Sequence, residues 1–353
     1  MKRVCVIVCN NGLGHIRRVL PVVQAMLDRE DHLHVTVACA QSQLAALSRW
    51  EVALGLRSHS RAAFQIFDSY PRAWLACGDF RGEELLNWHA SLEVLELDRY
   101  DLVISDNLVE ALIYQPRTVL MGSFLWHDVY GAQFAGEPVV EEYRRRSKAL
   151  LDEHKPPMIA NRYFAMPAVL EQTRAVLVGM LPAAVKHSGD RSRERGLLCI
   201  GSSIAPAEEL MRRLTRAISP AAARSGIRLY VDQRLARDLA PTNGFALFDH
   251  DADDFDSIGA VIARPGLGII TDCVISGIPL FCVHESNVEM EHNARILESL
   301  GLGWTPDSPY GCVDRLASLL DDSTAREEYG RRSELLDKGG LEQTVDYLLT
   351  YLG

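Results

Sequence analysis

The sequence predicts an α/β protein of two domains, each a parallel sheet wound with helices. Three observations carry this. First, the apolar run Arg3 to Cys9 passes through a glycine turn into a helix-spaced stretch and then a second apolar run, Leu33 to Cys39. Strand, turn, helix, strand is one βαβ unit, and such units build parallel sheets with both faces covered. Second, another series of this kind begins at Leu197. Third, 353 residues exceed one ordinary core and suit two domains. Both halves are therefore read as Rossmann-like.

The elements follow in order. His15 to Arg29 carries Val19, Val22, Val23, Met26 and Leu27, the spacing of one buried helix face. Leu102 to Ser105 and Val119 to Met121 read as later strands of the first sheet. Phe124 to Gly136 reads as either an acceptor-facing loop or an irregular connection, and Arg144 to Lys148 as a solvated helix face or, second to that, a docking patch for an acidic acceptor. In the second half, Leu197–Ile200, Ile227–Val231, Phe245–Phe248, Ala260–Ala263 and Leu280–Val283 read as strands. The predicted organisation is an N-terminal domain over 1–184, a linker over 185–196, a C-terminal domain over 197–323 and terminal helices over 324–353. The linker is the most polar mid-chain stretch, Lys186 to Gly196.

Composition excludes several classes. With 48% hydrophobic and 24% charged residues the chain is an ordinary globular protein. A formal charge of −10 argues against a nucleic-acid partner. No apolar run is long enough to span a bilayer; the nearest, Val176 to Val185, is broken by Pro182. The eight cysteines form no C-x-x-C pair. Those at 5, 9, 39, 199 and 282 lie in apolar runs and read as core residues of a reducing, cytoplasmic compartment.

Two glycine turns carry the chemistry. After the first strand comes Gly12-Leu13-Gly14-His15. A helix N-terminus disfavours an imidazolium, so a histidine there suits proton acceptance. Asp106 closes the strand Leu102 to Ser105, at the sheet edge where ligand sites form. It reads either as the carboxylate that orients His15 or as a helix N-cap. In the second half, Arg264-Pro265-Gly266-Leu267-Gly268 follows a strand and opens a helix. Bare amides and the positive end of a helix dipole at such a turn suit a phosphate, and Asp272 further along suits a ribose diol. Gly201, Ser202 and Ser203 follow another strand; they read as a second phosphate-holding turn or as a helix cap.

The segment from Ala263 to Ala294, including Ile275-Ser276-Gly277-Ile278-Pro279-Leu280 and Glu289-Met290-Glu291-His292-Asn293-Ala294, resembles the donor-binding motif of GT-B glycosyltransferases. The branch is that of the peptidoglycan N-acetylglucosaminyltransferase and the antibiotic and plant enzymes. The resemblance implies two Rossmann-like domains facing across a cleft. It implies a nucleotide-diphosphate sugar, UDP or dTDP linked, as co-substrate, with no other cofactor and no metal. His15 then stands where many members carry the general base. Gly12 and Gly14 would shape the cleft for diphosphate and acceptor. Gly201, Ser202, Ser203, Arg264, Gly266, Leu267, Gly268, Asp272, Glu289, Glu291 and Asn293 would form the donor site. Two departures stand out: Asp272 replaces the glutamate of many relatives, and Met290 replaces a glutamine, which alters the contacts open to the sugar. Asp249 to Asp256 contains an Asp-x-Asp, used for metal in the unrelated GT-A class; here it reads as acids at the start of a short helix.

The resemblance thus implies an inverting, metal-independent transfer of a sugar to an acceptor hydroxyl or amine, the acceptor being unspecified. Three alternatives stay open, one of them a sugar epimerisation without hydrolysis. Gly12-Leu13-Gly14-His15-Ile16-Arg17-Arg18 also resembles the start of some pseudaminic-acid-pathway hydrolases of nucleotide-sugars. A catalytically silent nucleotide-sugar-binding protein is the third.

Overall fold

The computed structural model describes residues 1–68, 84–181, 196–202, 205–238, 245–248, 255 and 257–353. The chain divides into two compact units. One comprises Met1–Ala183 with Lys338–Gly353, the other Ala184–Asp337. The predicted linker lies outside the described residues except for Gly196, which opens a strand.

The first unit holds a seven-stranded parallel sheet in the order β3-β2-β1-β4-β5-β6-β7. Its strands are β1 (Lys2–Ile7), β2 (Leu33–Cys39), β3 (Ala62–Ile66), β4 (Leu102–Asp106), β5 (Val119–Met121), β6 (Pro157–Asn161) and β7 (Arg174–Val178). Sequence reading missed β3, β6 and β7. β3 is an edge strand of half-buried and exposed residues, and Gln65 interrupts its apolar run. β6 begins at a proline and ends at Asn161. That asparagine turns inward, donating from Nδ2 to the carbonyl of Gly179 at 3.1 Å and accepting the amide of Tyr163 at 2.9 Å.

The helix Leu13–Arg29 buries Ile16, Val19, Leu20, Val22, Val23, Met26 and Leu27 against β1 and β2. The segment around residue 130 is a helix, Trp126–Gln133, and not a loop. It closes a ring cluster: Phe124 meets Trp126 edge-on at 4.7 Å, and Tyr130 meets Tyr143 edge-on at 6.0 Å. Trp88 and Trp126 are both buried; Trp74 lies outside the described residues. The basic run sits on the helix Pro138–His154, where Arg145 and Arg146 pair with Glu142 and Arg144 pairs with Glu141. These i,i+3 and i,i+4 pairs leave a mixed-charge surface rather than an open basic patch.

The second unit holds a six-stranded parallel sheet in the order β10-β9-β8-β11-β12-β13. Its strands are β8 (Gly196–Cys199), β9 (Arg228–Asp232), β10 (Phe245–Phe248), β11 (Ile258–Ala263), β12 (Leu280–Cys282) and β13 (Gly303–Trp304). Both sheets reverse their winding between the first strand and the fourth, which creates a crevice at that switch point.

The C-terminal tail divides at residues 337 and 338, later than the 324 expected from sequence. The helix Ser323–Glu334 stays with the second unit because its buried polar groups are satisfied there. The Tyr329 hydroxyl lies 2.6 Å and 2.8 Å from the carbonyls of Ile278 and Leu302, and the Ser333 hydroxyl donates to the carbonyl of Val274. The last helix, Gly340–Leu352, belongs to the first unit. Its Val345 and Leu348 enter the core beside β1, and Gly340 donates to Met180 O at 3.0 Å. A Cβ at Gly340 would lie 2.4 Å from the carbonyl oxygen of Gly179, so glycine is needed for that approach.

Among the described residues no helix is long and apolar enough to cross a membrane. Cys5, Cys9, Cys39, Cys199, Cys273 and Cys282 are buried thiols outside any disulfide. Burial pushes the Cys5, Cys39 and Cys282 thiols up to about 12, so these sulfurs are inert core atoms.

Candidate functional site

In the first unit the switch point lies between β1 and β4, which pair with Ile7 opposite Ser105. The chain leaving β1 turns at Gly12, which caps the following helix with φ 95°. That left-handed backbone explains a glycine at 12. Gly14 is the second residue of the helix and is open around its missing Cβ, so no steric demand fixes it. Gln43, which sequence reading passed over, holds this turn from below. Its buried side-chain amide donates to the carbonyls of Cys9 and Gly12, each at 2.9 Å.

The third residue of the helix is His15. Its Nδ1 lies 2.8 Å from Oδ2 of Asp106, 91 residues away in sequence. Asp106 is the last residue of β4 and is wholly buried, with 0% side-chain exposure against 13% for His15. An ionised carboxylate only accepts, so the Nδ1 proton points to Asp106, and in the neutral ring the lone pair is then on Nε2. One turn further along, the Arg18 guanidinium donates from Nη2 to Oδ1 of the same carboxylate. Burial alone would raise the Asp106 carboxyl, but His15 and Arg18 together outweigh it and hold the carboxyl below its ordinary value. Asp106 does not cap a helix: the next helical turn, Val109–Ile113, is preceded by Leu108. Asn107 fixes the exit from the strand with φ 61°, and its amide donates to Met121 O at 3.0 Å. Its side chain fills the space a Cβ at Gly122 would need.

In the second unit the switch point lies between β8 and β11. Gly201 and Ser202 follow β8, and Arg264 to Gly268 follow β11, so the two turns share one sheet edge. Gly266 caps the helix Leu267–Ser276 with no side-chain bond, a Cβ on it would meet nothing within 4 Å, and no acid lies in the first turn. The amides of this N-terminus, Leu267 and Gly268 included, therefore suit an anion. Asp272 lies in the second turn, too far along for a favourable N-terminal dipole to account for it.

The turn after β8 is different. The amide of Gly201 donates to Oδ1 of Asp232 at 3.1 Å, and that of Ser202 donates to Oε2 of Glu208. Protein carboxylates thus stand where sequence reading put phosphate oxygens. Burial raises the Asp232 carboxyl above its ordinary value, against the pull of the Leu235 and Gly201 amides. Ser203 lies outside the described residues.

The third group of predicted residues has mixed placement. Arg264 is held by Glu285, with Nη2 to Oε1 at 2.6 Å and Nε to the two carboxylate oxygens at 3.0 and 3.1 Å. Burial raises the Glu285 carboxyl, and Arg264 more than reverses that, leaving it below its usual range. Glu289 and Glu291 lie in the first turn of the helix Val288–Ser299, half-buried and exposed respectively. The Ser286 hydroxyl donates to Glu291 at 3.4 Å. Asn293 is buried, and its amide donates to the carbonyl of Pro265 at 3.0 Å. This bond ties Asn293 to the Pro265–Gly266 turn. Met290 is a core residue. The helix cap is Asn287, whose Oδ1 accepts the amides of Glu289 and Met290 at 3.0 and 3.1 Å. Sequence reading missed it, although asparagine just before an acidic first turn is a capping signal.

Among the described residues no three His, Cys, Asp or Glu side chains are placed to hold a metal. Of the stretch Asp249 to Asp256, only Phe255 is described.

No family model matches the chain, and no curated protein matches it in sequence. Solved structures do match along its whole length. The calicheamicin glycosyltransferase CalG4 is 18% identical with a TM-score of 0.65, covering 100% of this chain and 98% of that one. Glycosyltransferase VinC, solved in complex with dTDP, is 15% identical with a TM-score of 0.62, covering 99% of each chain. Medicago truncatula UGT71G1, solved with UDP-glucose, is 14% identical with a TM-score of 0.63, covering 100% of this chain and 98% of that one. At such identities the likeness is one of fold. The chain is a doubly wound α/β protein, and its fold is that of the GT-B glycosyltransferases.

Proposed function

We propose that this protein is a glycosyltransferase that moves a sugar from a nucleotide-diphosphate sugar to an acceptor hydroxyl or amine. The observation that carries the reading is the His15–Asp106 pair at the first switch point. Asp106 fixes the Nδ1 proton, and Nε2 takes the acceptor's proton as its oxygen or nitrogen attacks the anomeric carbon. Attack from the face opposite the diphosphate inverts that carbon. The uncapped N-terminus at Gly266 stabilises the departing charge with fixed amides, so the reading needs no metal. Asp272 takes the ribose, and Glu289 and Glu291 the sugar hydroxyls. UDP and dTDP donors are favoured by the ligands of VinC and UGT71G1. Six buried thiols outside any disulfide fit a reducing cytoplasm.

A second reading keeps the same groups and makes water the acceptor. It is favoured by the resemblance of the His15 to Arg18 segment to nucleotide-sugar hydrolases.

The test is product analysis by mass spectrometry and NMR over a panel of nucleotide-sugars, with wild type and His15→Ala. Release of nucleotide diphosphate only with an added acceptor supports transfer. Rapid release with free sugar supports hydrolysis. Full turnover by His15→Ala would exclude His15 as the base in either.

A further inference from the structure

We propose that Arg18 is a positioning residue of the candidate site, sharing the Asp106 carboxylate with His15 so that the imidazole remains a proton acceptor. This rests on the reading of His15 as the base.

The geometry is specific. His15 and Arg18 are three apart in one helix and so lie on one face. Each takes one oxygen of Asp106: His15 takes Oδ2, Arg18 takes Oδ1. Arg17, next in sequence, turns elsewhere and lies over the Trp50 ring at 5.5 Å. Both residues that hold Asp106 are largely screened from solvent, at 13% side-chain exposure each.

The physical argument concerns charge. A buried ionised carboxylate needs a compensating cation as well as hydrogen bonds. Neutral imidazole supplies a hydrogen bond and no charge. Cys9, a further titratable neighbour, faces Asp106 beside the Trp126 indole and stays a neutral thiol because burial raises it. Arg18 therefore carries the compensating charge. Without it, His15 is the cation source in reach of Asp106, and an imidazolium has no lone pair to accept a proton. Arg18 thus lets Asp106 orient the ring without protonating it.

The test reads the His15 imidazole directly by NMR titration, its resonance assigned with His15→Gln. Wild type is compared with Arg18→Met, Arg18→Gln and Arg18→Lys, each checked for folding by circular dichroism. The expected result is a His15 midpoint higher by about one pH unit in Arg18→Met and Arg18→Gln, with Arg18→Lys close to wild type. Arg18→Gln keeps a hydrogen-bond donor, so it decides the matter if Arg18→Met does not fold. An unmoved midpoint in folded Arg18→Gln overturns the proposal. The second readout is turnover of UDP-glucose and dTDP-glucose against pH. The acidic limb moves upward, giving a rate at neutral pH lower by about tenfold that recovers as pH rises. A uniform loss at every pH marks a merely structural role and also overturns it. Turnover retained in His15→Ala defeats the base assignment instead, and the NMR result on Arg18 stands apart from that outcome.

Discussion

The side-chain amide of Asn293 donates to the carbonyl of Pro265 at 3.0 Å. A polar residue near the end of the segment Ala263–Ala294 therefore holds the glycine turn near its start. Asn293→Ala removes a buried donor and leaves that carbonyl without it. The expected cost is about 1–3 kcal/mol of unfolding free energy, read by urea denaturation. An unchanged midpoint would mean that the turn stands without Asn293.

Asp106→Asn is expected to lower turnover by roughly 10²–10⁴-fold, measured on whichever nucleotide-sugar the wild type consumes. It also changes the response to acid. The folded carboxyl lies below its ordinary 3.8. Asp106 therefore contributes stability above that ordinary value, and the contribution is lost as pH falls through the lower folded value. The variant is less stable at neutral pH, and its stability curve approaches that of wild type in acid. Parallel curves over the whole range would contradict this.

Glu110 gives the opposite sign. It is buried on the turn Val109–Ile113 with the Tyr143 hydroxyl as partner, and burial pushes its carboxyl from 4.5 up to about 7. The unfolded chain releases this proton first, so stability present below about pH 4.5 is lost as pH rises to about 7. The expected loss is about 3 kcal/mol, and Glu110→Gln should flatten it. Thermal unfolding of both proteins between pH 4 and 8 checks the slope.

Glu208→Gln probes the turn after β8. The Glu208 carboxylate sits on the amide of Ser202, where a diphosphate oxygen would compete with it. Removing its charge should tighten UDP binding by roughly fivefold, about 1 kcal/mol. Calorimetric titration with UDP measures this. Weaker binding in the variant would show that Glu208 organises the turn for the nucleotide.

Much of the sheet framework was legible in the sequence because buried parallel strands are apolar throughout. Leu33–Cys39 and Val119–Met121 fall where their apolar runs lie, and so does Phe245–Phe248, although it is an edge strand. β3 and β6 were missed because Gln65 interrupts the one and Pro157 and Asn161 bound the other, whereas β7 carries an apolar run, Ala175–Val178, that was weighed only as a membrane span. The glycine turn at 12 was legible too, since its left-handed backbone calls for glycine, whereas Gly266, at φ −71° in open space, meets no such demand. The carboxylates facing Gly201 and Ser202 were not, because Asp232 and Glu208 come from a neighbouring strand end and from the next helix.

By itself the sequence determined the two Rossmann-like units, their glycine turns and the residue types set at them. These depend on local backbone preference and on apolar periodicity, both written in neighbouring residues. Only the tertiary structure decided the partners. Which carboxylate His15 meets depends on the sheet order that sets β4 beside β1. Whether Arg18 joins them, whether Glu285 holds Arg264, and whether Asn293 faces a ligand or a carbonyl depend on the same long-range packing. Side-chain chemistry allows several partners for each of these groups, and the packing selects the pairs in which His15 and Arg18 hold Asp106 and Arg264 holds Glu285.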